Sequence, residues 1–155
     1  MPIKNIIKIL IVMASIAAAL AGCGKKQVVK PSEEAVKARR AVETLREMEG
    51  SYKARDMAGV LKSVSQDYKP GYAEYQTGLR KDIELYGDVS LDIAVDRVEE
   101  SGAEVRVVVH WHGSWRDRSG NSHEGRGNSV FIFTQAGDGM ALADVAGDMP
   151  FGVVR

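Results

Sequence analysis

Between Val107 and Gly125 the chain reads VVVHWHGSWRDRSGNSHEG, a stretch that holds all three histidines, His110, His112 and His123, and both tryptophans. Imidazoles two positions apart on a strand stand on one face, about 7 Å apart, close enough to share a divalent cation. His110 and His112 meet that spacing, and His123 or Glu124 would have to supply a further ligand. The competing reading is a half-exposed strand face, and the alternation favours it. Val105, Val107, Val109, Trp111 and Trp115 share one face, which sets His110 and His112 on the other with Arg106, Val108 and Ser114. No cofactor is expected from this pattern.

Other residues could take part in binding or acid–base chemistry. Asp144 lies among Ala141, Leu142, Ala143 and Val145. Pointing inward, its carboxyl would have a raised pKa and could act as a general base. Tyr52, Tyr68, Trp111 and Trp115 are candidate walls of a ligand pocket, with packing in the core as the alternative, since aromatic rings bury the most area per residue. The sequence offers no serine, cysteine or aspartate in a nucleophile motif and no glycine-rich phosphate loop after a strand, which weighs against an enzyme.

These side chains need elements to position them. Ser32 precedes Glu33 and Glu34 as a helix cap does, and Val42, Leu45, Met48 and Tyr52 then follow at spacings of three and four, predicting a helix to about Ala54. Asp56 caps a short second helix, and Ser65 to Gly71 reads as a loop. Tyr75, Leu79, Ile83 and Tyr86 mark a third helix, which Gly87 ends. From Val89 the period becomes two, through Leu91, Ile93 and Val95. A second strand carries Val105 to Trp115, Arg116 to Gly127 reads as a polar loop, Ser129 to Gln135 forms a third strand, and Ala136 to Gly139 turns into a fourth. Helices followed by an antiparallel meander predict an α+β domain with the helices on one sheet face.

Ahead of this domain stands MPIKNIIKILIVMASIAAALAGC, with Lys4 and Lys8 before an uncharged run from Ile9 to Leu20. That is the form of a secretory leader, too short for an ordinary membrane span. Its last residues, Leu20-Ala21-Gly22-Cys23, resemble the lipobox of bacterial lipoproteins. The resemblance implies that residues 1–22 are removed, that Cys23 carries the lipid, and that 23–31 tether a domain spanning 32–155. Diacyl or triacyl modification would supply the more than one chain a lasting anchor needs. Gly24 stands where that family's inner-membrane retention signal places an aspartate, which favours the outer membrane, with the domain in the periplasm. Loss of Lys4 and Lys8 leaves 19 basic residues beside 21 acidic ones, a balance without the basic footprint of a nucleic-acid binder.

The order of elements, with Tyr52-Lys53-Ala54-Arg55-Asp56, Val60-Leu61, Val64 to Tyr68 and Ala141-Leu142-Ala143-Asp144-Val145, resembles the nuclear transport factor 2-like superfamily, which includes SnoaL-like cyclases. The resemblance implies a cystatin-like cone: three N-terminal helices packed on a curved, four-stranded antiparallel sheet, with a cavity between them. The hairpin that family often places between its second and third helices is shortened here to Tyr68-Lys69-Pro70-Gly71-Tyr72. Many members catalyse nothing, and members often pair through the outer sheet face, so a homodimer through that face is an expectation too. The function expected is a lipid-anchored cell-envelope protein that binds a small ligand or an envelope protein without chemistry. The alternative is an isomerase, dehydratase or cyclase using a polar residue in the pocket.

Overall fold

A computed structural model describes residues 30–152. The predicted leader, Cys23 and the tether through residue 29 lie outside the described residues.

Helix α1 (Glu33–Lys53) begins where Ser32 Oγ accepts from the Ala35 N–H at 3.1 Å, with Glu33 and Glu34 in its first turn. Both features suit the unsatisfied N–H groups and positive end of a helix. Its buried face is Ala41, Leu45, Met48 and Tyr52, with Glu49 held beside them by Arg46 at 2.8 Å and Lys53 at 2.9 Å. The chain then turns through Arg55, whose φ of 60° is left-handed. Such a conformation costs on the order of 1 kcal/mol in a residue with a side chain. In return the Arg55 guanidinium reaches the end of α3 (Tyr72–Leu85), donating to the Ile83 carbonyl at 2.7 Å and the Gly87 carbonyl at 3.5 Å. Asp56 caps the short α2 (Met57–Lys62) by accepting from Gly59 N–H at 3.0 Å. The Tyr52–Asp56 segment thus serves the interior, the α3 terminus and the α2 start in turn.

Five strands form one sheet, β1 (Val64–Lys69), β2 (Tyr86–Ser101), β3 (Glu104–Asp117), β4 (Ser122–Ala136) and β5 (Gly139–Gly147), in the order β1-β5-β4-β3-β2. Strands β2 to β5 are the predicted antiparallel meander. Its inner face carries Leu91, Ile93, Val105, Val107, Val109, Phe131, Phe133 and Leu142, all buried against the helices. At the far edge, β2 bulges between Val95 and Arg97, and Arg46 of α1 donates to its Ile93 carbonyl.

Two expectations need correction. The sheet has five strands rather than four, because the segment read as a loop after α2 pairs parallel with β5. The Leu142 N–H donates to the Ser63 carbonyl at 2.8 Å, and Val64 and Tyr68 turn inward while Gln66, Asp67 and Lys69 remain exposed. An edge strand with two buried positions gives too little alternation to read. The loop expected over residues 116–127 is also mostly strand: Trp111 pairs with Gly127, Gly113 with Gly125 and Trp115 with His123. Gly125 and Gly127 of this segment lie under indole rings, since a Cβ on Gly125 would stand 3.2 Å from Trp115 and one on Gly127 2.8 Å from Trp111, and a Cβ on the facing Gly113 would collide with Trp115. The turn that remains is closed by Asp117, which accepts from the Ser119 and Asn121 N–H groups at 2.9 Å and from Asn121 Nδ2 at 2.8 Å.

Candidate functional site

The interior between helices and sheet is built around a buried polar relay. Trp115 Nε1 donates to the Tyr52 hydroxyl at 2.9 Å, and that hydroxyl donates to Asp82 Oδ2 at 2.8 Å. All three side chains are buried, Asp82 being 1% exposed. Burial, reinforced by the neighbouring Asp82, holds the Tyr52 phenol well above its ordinary pKa. It is therefore a neutral donor at physiological pH, far from the poise a general acid–base group needs.

Aromatic rings fill the space around this relay. Trp111 and Trp115 meet edge to face at 6.2 Å, and Phe151 meets Tyr52 at 5.0 Å and Phe131 at 6.1 Å. Phe151 comes from the segment after β5. There Asp148 fastens the chain to the sheet: its carbonyl accepts from Trp111 Nε1 at 2.8 Å and from Ser129 Oγ, its N–H donates to the Asn128 carbonyl at 2.9 Å, and its carboxyl accepts from Asn128 N–H at 3.2 Å.

Beside this filled interior lies a groove of about 480 Å³, lined by Tyr68, Glu74, Tyr75, Val145, Met149 and Phe151 among others. The Tyr68 and Tyr75 rings lie 5.0 Å apart along its wall. Burial, with Asp144 nearby, pushes the Tyr68 phenol up to about 12, and burial holds Tyr75 well above its usual value. The Tyr75 hydroxyl is buried and has no hydrogen-bond partner among the described residues. Both phenols are protonated donors. With apolar walls and few polar groups, the groove has the make-up of a small-molecule site.

Solved structures share this architecture. A nuclear transport factor 2-like superfamily protein from Salmonella enterica serovar Typhimurium is 12% identical, with a TM-score of 0.64 over 76% of this chain and 93% of that one. A nuclear transport factor 2-like protein of unknown function from Shewanella oneidensis is 14% identical, with a TM-score of 0.56 over 70% and 96%. A protein from Novosphingobium aromaticivorans, provisionally named a scytalone dehydratase, is 12% identical, with a TM-score of 0.64 over 74% and 85%. The fold is nuclear transport factor 2-like. No protein-family model and no curated protein matches the chain.

Within this nuclear transport factor 2-like cone, the residues singled out from the sequence fall in different places. Tyr52, Trp111 and Trp115 stand together in the packed interior, whereas Tyr68 lies on the groove. Asp144 is half-buried. Leu142 pairs with Phe133 and Val145 with Phe131, so the irregularity at Ala143 puts Asp144 opposite Ile132, where its carboxyl accepts from the Val145 N–H at 2.7 Å. His110 is on the outer face, its Nδ1 2.7 Å from Asp96 Oδ1, and His112 shares that face. His123 pairs with inward-facing Trp115, and its ring lies 6.0 Å from Tyr86. The three imidazoles are therefore not brought together, and no group of three His, Cys, Asp or Glu side chains among the described residues could hold a metal ion.

Sequence reasoning passed over Asp82 and Phe151. Asp82 stands seven residues after Tyr75, three after Leu79 and four before Tyr86, so it falls on the buried stripe of α3. That periodicity was its signal; the charged neighbours Arg80, Lys81 and Glu84 masked it. Phe151 lies beyond the last strand and belongs to no repeating pattern.

Proposed function

We propose that this is a lipid-anchored cell-envelope protein, fixed to a bacterial membrane through Cys23, whose domain binds a small ligand on the periplasmic side without transforming it. The observation that carries the binding reading is the division of the domain into a sealed relay and an open groove. Asp82 and Tyr52 are each 1% exposed, with Phe151 packed on Tyr52, while the groove offers apolar walls and two protonated phenols. A ligand held there would be bound by burial and by hydrogen bonds from the phenols, apart from the buried Tyr52–Asp82 pair. The anchor reading rests on Leu20-Ala21-Gly22-Cys23 and on the leader before it; Gly24 favours the outer membrane. The alternative, an isomerase, dehydratase or cyclase, is favoured by the Tyr52–Asp82 pair inside the cone and by neighbours of dehydratase name, and it requires that pair to become accessible.

Two measurements on the full chain test these readings. Cys23→Ala moves the protein from the membrane fraction to the soluble one and abolishes labelling by a palmitate analogue; retention in the membrane would contradict the anchor. Native mass spectrometry of the detergent-extracted protein shows extra mass that is lost on denaturation, and the released molecule is chemically unchanged after incubation with the protein. A product of different mass would establish the enzymatic alternative, and a bare polypeptide would turn attention to a protein partner.

A further inference from the structure

The turn that joins β4 to β5 carries the only Asp–Gly pair of the chain, Asp138–Gly139, and the sequence has no Asn–Gly. Gly137, with φ 58°, takes the first central position of this two-residue turn, and Ala136 pairs with Gly139 across it. Asp138 and Gly139 are both exposed, and the Asp138 carboxyl has no hydrogen bond or ion pair among the described residues. A Cβ on Gly139 would meet only the Ala136 carbonyl, at 3.8 Å, so nothing beyond its chain neighbours crowds that side of the residue.

A link to α1 distinguishes this turn from an ordinary exposed one. Arg40 Nη1 donates to the main-chain carbonyl of Asp138 at 2.6 Å. If the Asp138 carboxyl closed on the Gly139 nitrogen, two carbonyls would share that nitrogen, and the guanidinium already rests on one of them. Arg40, Asp138 and Gly139 also line a surface groove of about 380 Å³ with Lys62 and Glu47, which leaves the turn open to water.

We infer that Asp138–Gly139 is a site of spontaneous isoaspartate formation, and that Arg40 is a positioning residue that directs the intermediate to that product. The Gly139 nitrogen bonds to Asp138 Cγ, and the hydroxyl of the protonated carboxyl leaves with the amide proton as water, closing a succinimide. Glycine permits the approach because it has no side chain to oppose it. Water then adds to one of the two ring carbonyls. Arg40 polarises the main-chain carbonyl and stabilises the oxyanion that forms there. Breaking the bond from that carbon to the Gly139 nitrogen routes the main chain through Cβ and Cγ, and frees the former main-chain carbonyl as a carboxylate beside Arg40. The water lost in closure is regained in opening, so mass and net charge are unchanged. The turn gains a main-chain carbon, and the hydrogen bond between hairpin and α1 becomes an ion pair.

The test ages the full chain in detergent at neutral pH, digests it, and reads each aspartate by electron-transfer dissociation, which distinguishes isoaspartate from aspartate. Isoaspartate accumulates at position 138 ahead of every other aspartate, preceded by a species lighter by the mass of one water. Gly139→Ala, which the open side of the turn accommodates, abolishes that accumulation. The role of Arg40 is read from how the ring opens, since a loosened turn alone would change how fast it closes. In Asp138→Asn, where ammonia leaves and the same succinimide forms faster, adding Arg40→Leu lowers the ratio of isoaspartate to aspartate about fivefold, the effect of one charge-assisted hydrogen bond at an exposed site. Isoaspartate absent from the aged chain, or no more abundant at 138 than elsewhere, overturns the site. An unchanged ratio on adding Arg40→Leu overturns the assignment of Arg40.

Discussion

Two substitutions of one kind, Tyr52→Phe and Tyr75→Phe, have opposite expected outcomes, and the comparison tests the geometry of the interior directly. Each removes a single buried hydroxyl and keeps the ring. The Tyr52 hydroxyl donates to Asp82 at 2.8 Å and accepts from Trp115 at 2.9 Å. Its loss strands the indole N–H and takes a donor from a buried carboxyl, at about 1–3 kcal/mol for each group left wanting. The expected cost is about 3 kcal/mol, below the full sum because Asp82 has further interactions. For a domain of this size that lowers the melting temperature by roughly 10 °C. The Tyr75 hydroxyl is buried with no partner among the described residues, so its removal relieves desolvation and changes stability by between zero and about 1 kcal/mol in the favourable direction. Equilibrium urea unfolding measures both, provided the slopes agree, since a changed slope signals an altered end state rather than a lost contact. Equal losses in the two variants, or a Tyr75→Phe loss above 1 kcal/mol, would refute the assignment of partners.

Three further outcomes are expected. Gly113→Ala destabilises the domain by about 2 kcal/mol in urea unfolding, because the added methyl meets the buried Trp115 ring and the core cannot absorb overpacking without shifting it. In alkali, Tyr68 is pushed from 10.0 up to about 12, so its protonated form is favoured by folding. Its contribution is whole below pH 10 and is lost as the pH rises toward 12. The native chain therefore loses stability relative to Tyr68→Phe across that window and not below it; a constant difference would show that Tyr68 is solvated. Excess zinc leaves the melting temperature unchanged, because His110 and His112 face away from His123; a rise that His110→Ala abolishes would contradict that placement.

The parts of this fold that were legible in the sequence are those in which one face of an element is buried and the other is wet. The alternation through Leu91 and Ile93, and through Val105 to Trp115, predicts which face of β2 and β3 turns inward, and the structure places those residues accordingly. Ser32 and Asp56 likewise mark helix starts, because a side-chain acceptor has a specific orphan donor to meet. The legibility fails where tertiary contacts override local pattern. Val64 and Tyr68 become a strand through pairing with β5, and Gly125 and Gly127 accommodate indole rings where glycine otherwise signals a loop. Tyr52, Trp111 and Trp115 were recognisable as inward aromatics, but the groove was not, because it joins α3 to a tail with no periodicity. Asp82 reads as one more charge in a polar helix end until its neighbours across the cone are known.

The covered edge of β2 has a consequence for life at a membrane surface. A long outer strand offers unpaired backbone groups to any neighbour, and this one runs for 16 residues. Its bulge between Val95 and Arg97 breaks the flat template, Asp88, Asp92 and Asp96 are exposed along it, and Arg46 occupies the Ile93 carbonyl. Copies held in one plane by lipid, as proposed, collide far more often than the same number free in solution, and with their edges at similar heights. The devices along β2 then act as a barrier to lateral polymerisation: the domain can be crowded on its leaflet without copies zipping strand to strand into fibrils.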